Sequence, residues 1–265
     1  MITQEALVRW NQPAAPGYFR MGLACGGGFE HAKPGQFVMV RTGADRFPLL
    51  RRPFSLLGLI RDHAHVAGIE ILFKVVGKGT EKLSRCRPGD RLSILGPLGN
   101  AFQVPDTCRQ LILVAGGVGV PPIRFLAQSM LEREQSPERC VVFVGGRTQT
   151  DLVCITEFDL PGFLLDISTD DGSQGNQGVV TASLEKMLDG NCADLICACG
   201  PWAMLKAVAA IAAARGIPCQ VSIEAMMACG MGACLGCAVS VRDDPARYRH
   251  VCTDGPVFDA QRLHW

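Results

Sequence analysis

The stretch Met226-Met227-Ala228-Cys229-Gly230-Met231-Gly232-Ala233-Cys234-Leu235-Gly236-Cys237-Ala238-Val239, followed after a short polar insertion by His250-Val251-Cys252-Thr253-Asp254-Gly255-Pro256, decides how the rest of the chain is read. Its cysteines Cys229, Cys234, Cys237 and Cys252 are spaced C-x4-C-x2-C-x14-C. Three close thiolates with a distant fourth form the ligand pattern of a plant-type [2Fe-2S] cluster. Gly230, Gly232 and Gly236 permit the positive φ angles that wrap backbone around such a cluster and turn N–H groups toward its sulfurs. Three other readings compete. Zinc also takes four thiolates, but usually as two short pairs, into which Cys229/Cys234 fits poorly. A disulfide framework belongs to small secreted domains. Free cysteines can also be small buried hydrophobes. The spacing favours iron and sulfur over all three. A cluster moves single electrons, so the remainder of the chain should contain their source or their destination.

At 265 residues, 48% of them hydrophobic, the chain has room for roughly two domains with real cores. A net charge of +1, with charges scattered along the sequence, gives no footprint for nucleic acid or an acidic membrane surface. The other nine of the 13 cysteines sit mostly in apolar runs such as Leu195-Ile196-Cys197-Ala198-Cys199. An odd number cannot all pair within the chain, which points to a reducing compartment. The N-terminus lacks a charged-then-apolar signal pattern, and no run reaches the ~18 apolar residues of a membrane span. The expectation is a soluble, cytoplasmic protein.

Residues 1–102 read as β structure: short apolar or alternating runs at 2–10, 18–24, 36–41, 54–60, 66–76 and 91–95, separated by Pro-Gly and Gly-Pro turns. Six such strands predict a small antiparallel barrel, with one helical turn at 80–85. From about residue 108 the rhythm changes. Apolar strands at 110–115, 140–145, 163–168, 194–199 and 219–223 alternate with helices at 121–135, 181–188 and 202–215. That alternation predicts a doubly wound parallel sheet. The run 207–214, nearly all Ala, Val and Ile, predicts a helix packed on more than one side, and 168–178 reads as a flexible loop. A hairpin of 238–242 with 248–251 is expected to carry Cys252 back to the other three cysteines.

Four motifs have the chemistry of cofactor binding. Arg52-Pro53-Phe54-Ser55 opens a strand; an Arg fork matches pyrophosphate oxygens, an aromatic ring can lie along a flavin, and a hydroxyl can donate to its polar edge. An ordinary Pro turn would look the same. Leu72-Phe73-Lys74 leads through Gly77-Lys78-Gly79-Thr80 into a helical turn, where Gly79 and Thr80 offer an anion site or, more plainly, a helix cap with Thr80 as N-cap. Gly116-Gly117-Val118-Gly119-Val120-Pro121-Pro122 follows the first parallel strand and opens a helix, suiting close approach of a dinucleotide pyrophosphate. Pro122 stands where the Rossmann pattern has its last Gly, and Gly145-Gly146-Arg147 replaces the usual ribose acid, so a purely structural turn stays open. Cys199-Gly200-Pro201-Trp202-Ala203-Met204 lies at the carboxyl end of a parallel strand, where open α/β sheets bind ligands; Cys199 could face a nicotinamide.

Taken in order, R-P-F-S, G-x-G-T, G-G-V-G-V-P-P and C-G-P-x-x-M resemble the ferredoxin–NADP reductase superfamily. With C-G-x-G-x-C-x-G-C and a later Cys, the whole chain resembles one branch: the electron-transfer subunits of NAD-dependent (class 1B) dihydroorotate dehydrogenase. The resemblance implies an FAD-binding β-barrel over 1–102, an NAD-binding α/β domain over 103–223 and a [2Fe-2S] segment over 224–265. It implies FAD contacts at Arg52, Pro53, Phe54, Ser55, Leu72, Phe73, Lys74, Gly79 and Thr80, while the glycine and C-G-P motifs themselves give the candidate NAD contacts Gly116, Gly117, Gly119, Cys199, Gly200, Pro201 and Met204. It implies cluster ligation by Cys229, Cys234, Cys237 and Cys252. Phe54 stands where many relatives have Tyr, which removes a hydroxyl but keeps the ring. The implied partner is an FMN-containing catalytic subunit in a heterotetramer of two copies of each, serving de novo pyrimidine (UMP) biosynthesis. Related subunits of sulfide dehydrogenase and of ferredoxin:NADP oxidoreductase share these motifs, so the substrate stays open. No acid–base constellation for oxidising a carbon substrate is present; His31, His63, His65, His250 and His264 are scattered. The contrasting non-enzyme reading, a zinc-stabilised interaction module, predicts a colourless protein.

Overall fold

In the computed structural model, which describes residues 1–42, 47–63, 65–132, 137–242 and 247–265, the alternating N-terminal runs form six strands. They are β1 (Ile2–Ala15), β2 (Tyr18–Ala24), β3 (Phe37–Val40), β4 (Arg52–Asp62), β5 (His65–Lys74) and β6 (Arg91–Leu98), closed as an antiparallel barrel in the order β1-β2-β5-β4-β3-β6. Closure removes the unpaired sheet edges that six short strands would otherwise leave. Met21, Leu23, Phe29, Leu56, Ile69, Ile71 and Ile94 fill the barrel with no exposed surface. Helix α1 (Lys78–Ser84) bridges β5 and β6, with Gly77 rather than Thr80 at the N-cap. Thr80 lies in the first turn instead, where its hydroxyl accepts hydrogen bonds from the Val76 and Gly77 N–H groups at 2.9 and 3.2 Å.

The second layer is a seven-stranded sheet in the order β10-β9-β8-β7-β11-β12-β15. Its members are β7 (Gln110–Gly116), β8 (Arg139–Gly146), β9 (Phe163–Thr169), β10 (Asn176–Gln177), β11 (Leu195–Cys199), β12 (Cys219–Ser222) and β15 (Val257–Asp259). All pair in parallel except β15, which joins β12 antiparallel. Side-chain alternation along β7 sorts the core. Leu111 and Leu113 pack with Ile123, Leu126 and Met130 of α2 (Val120–Leu131). Ile112 and Val114 pack with Leu184 of α3 (Val180–Leu188) and Leu205 and Val208 of α4 (Trp202–Ala214). Helices thus cover both faces, which is why the strands are continuously apolar.

Three expectations are corrected, and one strand is new. Helix α4 buries one face only: Leu205, Val208, Ala209 and Ala212 are inside, while Ala210, Ala213 and Ala214 are exposed. Alanine is the strongest helix former, so it occupies solvent positions without marking them as polar. The segment 168–178 is closed by hydrogen bonds, Thr169 Oγ1 donating to Gln174 O at 2.8 Å, rather than forming a free loop. The helix expected over 121–135 ends at Leu131, and residues 133–135 lie outside the described residues. Strand β15 was not anticipated; it returns the cysteine segment to the sheet.

The cysteine segment carries a two-stranded ribbon, β13 (Ala238–Ser240) with β14 (Tyr248–His250). Cys237, Val251 and Cys252 are buried in one cluster with Met39 and Leu98 of the barrel and Ile223 after β12. Asn100 ties the barrel exit to this segment, its Nδ2 donating to Asp254 O (2.8 Å) and Val257 O (3.0 Å) while its Oδ1 accepts from the Val257 N–H (3.0 Å).

Candidate functional site

The start of β4 and the end of β5 open onto a cavity of about 440 Å³ between the barrel and the sheet. Arg52, Pro53, Phe54, Ser55, Leu72, Phe73, Lys74, Gly79 and Thr80 all line it. The volume lies within the range of cofactor pockets. Phe54 and Phe73 stand with ring centroids 5.8 Å apart at an interplanar angle of 57°, forming an apolar wall. The Arg52 guanidinium donates to Leu50 O at 2.6 Å, and the turn packs closely on the arginine, a Cβ at Gly79 coming 3.2 Å from Arg52 Nε. Val118 and Pro121 also line it, as do Ser222, Ile223, Glu224, Ala225 and Met227 of the segment that leads into the cysteine loop.

A second cavity of about 600 Å³ opens beyond the carboxyl ends of the parallel strands. Gly116, Gly117, Pro201 and Met204 line it, with Arg147, Asp151 and Asp170 along one side. Gly119 and Gly200 border an adjoining cleft with Trp202. The two glycine loops press together: a Cβ at Gly200 would meet Met204 Cε at 2.6 Å and Gly116 backbone at 3.1 Å. Cys199 lines none of these spaces. Strand alternation places it beside Leu195 and Cys197 in the core below α2, 3% exposed, and burial pushes its thiol up to about 12 although Ser222 hydrogen-bonds to it. Lys74 and Val118 line both large cavities, so the two share a wall.

One carboxylate absent from every motif lies here. Glu224 lines both the first cavity and the cleft beside Gly200 and Trp202. It is open to that space yet enclosed by its walls, and this desolvation raises its carboxyl above the ordinary 4.5. A single acid one residue past an apolar run leaves no signal in the sequence. Tyr18 and Asp151 were equally silent, and they meet at 2.8 Å across 133 residues of chain.

The four motif cysteines gather as two pairs. Cys237 and Cys252 are buried with their Sγ atoms 3.3 Å apart, and the Cys229 and Cys234 side chains are in hydrogen-bonding contact nearer the surface. Among the described residues no three His, Cys, Asp or Glu side chains form a group that could hold a metal ion. A two-iron cluster, however, takes two cysteines on each iron, which is the pairing present. Backbone N–H groups already point at the sulfurs: Met231 and Cys234 at Cys229 Sγ (both 3.4 Å), Gly232 at Cys252 Sγ (3.2 Å) and Cys252 at Cys237 Sγ (3.4 Å). Burial raises the Cys229 thiol, but the Met231 and Cys234 N–H groups outweigh it and hold it at about 7, against an ordinary 9.0. The loop manages this through left-handed backbone at Gly230 (φ 73°) and Gly232 (φ 83°), and a Cβ at Gly230 would strike Met39 Cγ at 2.5 Å. The donor set suits iron and sulfide: thiols, with amide donors in place for the charge that ligation creates.

A closed barrel beside a parallel sheet, with one cavity between them and another at the strand ends, defines a flavin- and nicotinamide-linked reductase of the ferredoxin–NADP reductase kind. A family model described as the iron-sulfur cluster binding domain of dihydroorotate dehydrogenase B matches residues 224–264, and one described as an oxidoreductase NAD-binding domain matches residues 113–210. The electron transfer subunit of dihydroorotate dehydrogenase B (NAD(+)) from Desulforamulus reducens is 37% identical, over 88% of this chain and 87% of its own. Its counterpart from Caldanaerobacter subterraneus subsp. tengcongensis is also 37% identical, over 98% of this chain and 97% of its own. A solved structure of an NADH-dependent reduced ferredoxin–NADP oxidoreductase, studied for flavin-based electron bifurcation, superposes with a TM-score of 0.85 at 28% identity, covering 98% of this chain and 90% of that one. The chain belongs to the family of dihydroorotate dehydrogenase B (NAD+) electron transfer subunits.

Proposed function

We propose that this chain carries electrons between a catalytic subunit that oxidises dihydroorotate and NAD+, using a [2Fe-2S] cluster and FAD, in pyrimidine biosynthesis. The observation that carries the reading is the position of the first cavity. One wall is the lead-in to the cysteine loop, through Ala225 and Met227, and another is shared with the second cavity through Lys74 and Val118. A flavin there would stand between a one-electron centre and a dinucleotide.

On this reading Cys229, Cys234, Cys237 and Cys252 hold the cluster, two to each iron. Phe54 and Phe73 supply the apolar wall for the isoalloxazine, Ser55 a hydroxyl for its polar edge and Arg52 a cation for the pyrophosphate. Bound FAD supplies the change from one-electron to two-electron transfer. The Gly116–Gly117 and Gly200–Pro201 loops receive the dinucleotide, and Glu224 offers a carboxyl near the meeting of the two. Residues 1–102, 103–223 and 224–265 then serve as the FAD, NAD and cluster regions. The partner is an FMN-containing dihydroorotate dehydrogenase subunit, in a tetramer of two of each chain. No helix among the described residues is long and apolar enough to cross a membrane, and a cytoplasmic location is part of the reading.

Co-expression tests it. With the partner subunit the chain should confer NADH formation from dihydroorotate; alone it should oxidise NADH with artificial dyes and leave dihydroorotate untouched. A pair that forms but turns over only ferredoxin or sulfide would favour the second reading, an NAD(P)H-dependent subunit of a ferredoxin or sulfide oxidoreductase. The likeness to the ferredoxin–NADP oxidoreductase structure, at 28% identity over 98% of this chain, is what favours that alternative.

A further inference from the structure

Tyr18 and Lys74 face each other across the β2–β5 pairing of the barrel. Asp151 reaches them from the loop after β8, in the sheet domain. Its Oδ1 accepts from Tyr18 Oη at 2.8 Å and from Lys74 Nζ at 3.0 Å, and its Oδ2 accepts from Arg147 Nε at 3.3 Å. The hydroxyl of Tyr18 has one proton, and that proton goes to Asp151. Its oxygen is then the acceptor of the 3.0 Å bond from Lys74 Nζ. An ammonium has three donors, so two of Lys74's are committed and one is left. The Lys74 ammonium also lies 4.6 Å from the Tyr18 ring centroid. Tyr18 is 2% exposed and the Asp151 side chain 12%, so water competes weakly for either group.

Lys74 is the polar side chain that lines both large cavities, whereas Tyr18, Arg147 and Asp151 line only the dinucleotide one. A lysine on a flexible four-carbon stem has no fixed position of its own. Here it is pinned from two domains at once. We propose that Asp151 is a positioning residue for dinucleotide binding: with Tyr18 it fixes the Lys74 ammonium on the wall common to both cavities, leaving its third N–H for an oxygen of the incoming dinucleotide. The inference rests on the assignment of the second cavity to NAD(H). It adds that the barrel contributes to that site through a side chain oriented by the opposite domain. The same contacts account for directions of titration: burial raises the Tyr18 hydroxyl, while the Asp151 carboxyl, which burial alone would raise, is held below its ordinary value by Lys74 and Tyr18.

The test is a double-mutant cycle on NAD+ binding, read by calorimetry on the flavin- and cluster-loaded full chain, with the thermal midpoint of each variant recorded in parallel. Asp151→Asn should weaken NAD+ binding by about tenfold, the size expected when one charge-assisted hydrogen bond is lost. Lys74→Met should weaken it at least as much, and Tyr18→Phe by about threefold. If Asp151 acts through Lys74, Asp151→Asn added to Lys74→Met should cost less than about twofold more. A fall in midpoint with NAD+ affinity unchanged in Asp151→Asn would make the contact a domain staple only and overturn the proposal. Equal weakening by Asp151→Asn in both backgrounds would also overturn it, since Asp151 would then act on the ligand without Lys74. If Asp151→Asn does not fold, Tyr18→Phe, which removes a single hydroxyl, is read in the same cycle. Wild-type protein that holds flavin yet binds no NAD+ would instead refute the dinucleotide assignment, and the proposal with it.

Discussion

Cys237 and Cys252 lie Sγ to Sγ at 3.3 Å, although 15 positions separate them, because β13 and β14 pair Ala238 with His250. The ribbon brings the distant fourth cysteine back beneath the loop that carries the other three. Each of Cys229→Ser, Cys234→Ser, Cys237→Ser and Cys252→Ser should therefore remove half or more of the iron and acid-labile sulfide, while serine at the other nine cysteines leaves both in place. Chemical iron and sulfide assays decide it. Full iron in Cys234→Ser would end the assignment, because that exposed side chain has no packing role to confuse the result.

The flavin should be FAD rather than FMN. The first cavity is lined by the Phe54–Phe73 wall and also by Arg52 and the Gly79 turn, which puts a cation on it for a pyrophosphate. Flavin released by mild acid and separated by chromatography should be FAD. Arg52→Ala should loosen FAD by about tenfold or more and FMN by less, since a charge-assisted contact contributes about 1.5–3 kcal/mol. Recovery of FMN alone would contradict this.

NADH should be preferred over NADPH, with kcat/KM higher by about tenfold or more, equivalent to about 1.4 kcal/mol. Arg147 is the cation of the second cavity best placed to attract a 2′-phosphate, but its Nε already bonds Asp151 at 3.3 Å. Asp170 lines the same cavity and would repel a further phosphate. Steady-state assays with an artificial acceptor measure the ratio; preference for NADPH would reverse the assignment.

The interface between barrel and sheet domain is fixed by a ladder of charges. Arg20 pairs with Glu70 and, at 2.6 Å, with Glu157, while Arg124 pairs with Glu157 at 2.7 Å and donates to Leu57 O at 3.0 Å. Glu157→Gln leaves two arginines sharing one fewer carboxylate in a partly buried setting. It should destabilise the protein by about 1–3 kcal/mol, a drop of several degrees in the thermal midpoint. The cluster absorbance should stay, because the cysteine loop packs elsewhere. An unchanged midpoint would show that the ladder contributes nothing net.

Local pattern carried most of the fold. Six barrel strands and five parallel strands have periodicities that short windows reveal, and the cysteine spacing is explicit. What escaped depends on contacts between distant residues or on missing polarity. Barrel order β1-β2-β5-β4-β3-β6 depends on the β2–β5, β3–β6 and β1–β6 pairings between non-consecutive strands, which no window contains. Strand β15 is three residues long and acquires its structure from β12. The one-sided packing of α4 was hidden by alanines on its outer face. At the cavities, the glycine-rich turns and R-P-F-S are legible in the sequence as short motifs, and they line the two large cavities. Glu224, Tyr18 and Asp151 are not legible, since a single polar residue at the end of a strand has many uses. Cys199 is the reverse case: its motif puts it at a ligand-binding strand end, yet its side chain is buried and lines neither large cavity.

The outer face of the cysteine loop exposes Met226 (90%), Leu235 (60%) and Met231 (44%), with Ala233 and Cys234 also exposed. Leu235 has a left-handed φ of 58°, uncommon for a residue of its size, and its side chain is exposed. Exposed methionine and leucine around a redox centre suit an adaptable contact, and an electron can cross only where the partner's centre comes close. The cysteine face should therefore be where the catalytic subunit docks. Ala233→Arg adds a long cation to the middle of that patch without touching a cysteine, and an unpaired charge buried at an interface should weaken association by about 2–5 kcal/mol. Size-exclusion of the co-expressed pair should show loss of the complex, and NADH formation from dihydroorotate should fall with it. Dye-linked NADH oxidation by the isolated chain should persist, because it uses the dinucleotide and flavin cavities alone. A complex that forms with full activity in Ala233→Arg would place the docking surface elsewhere on the chain.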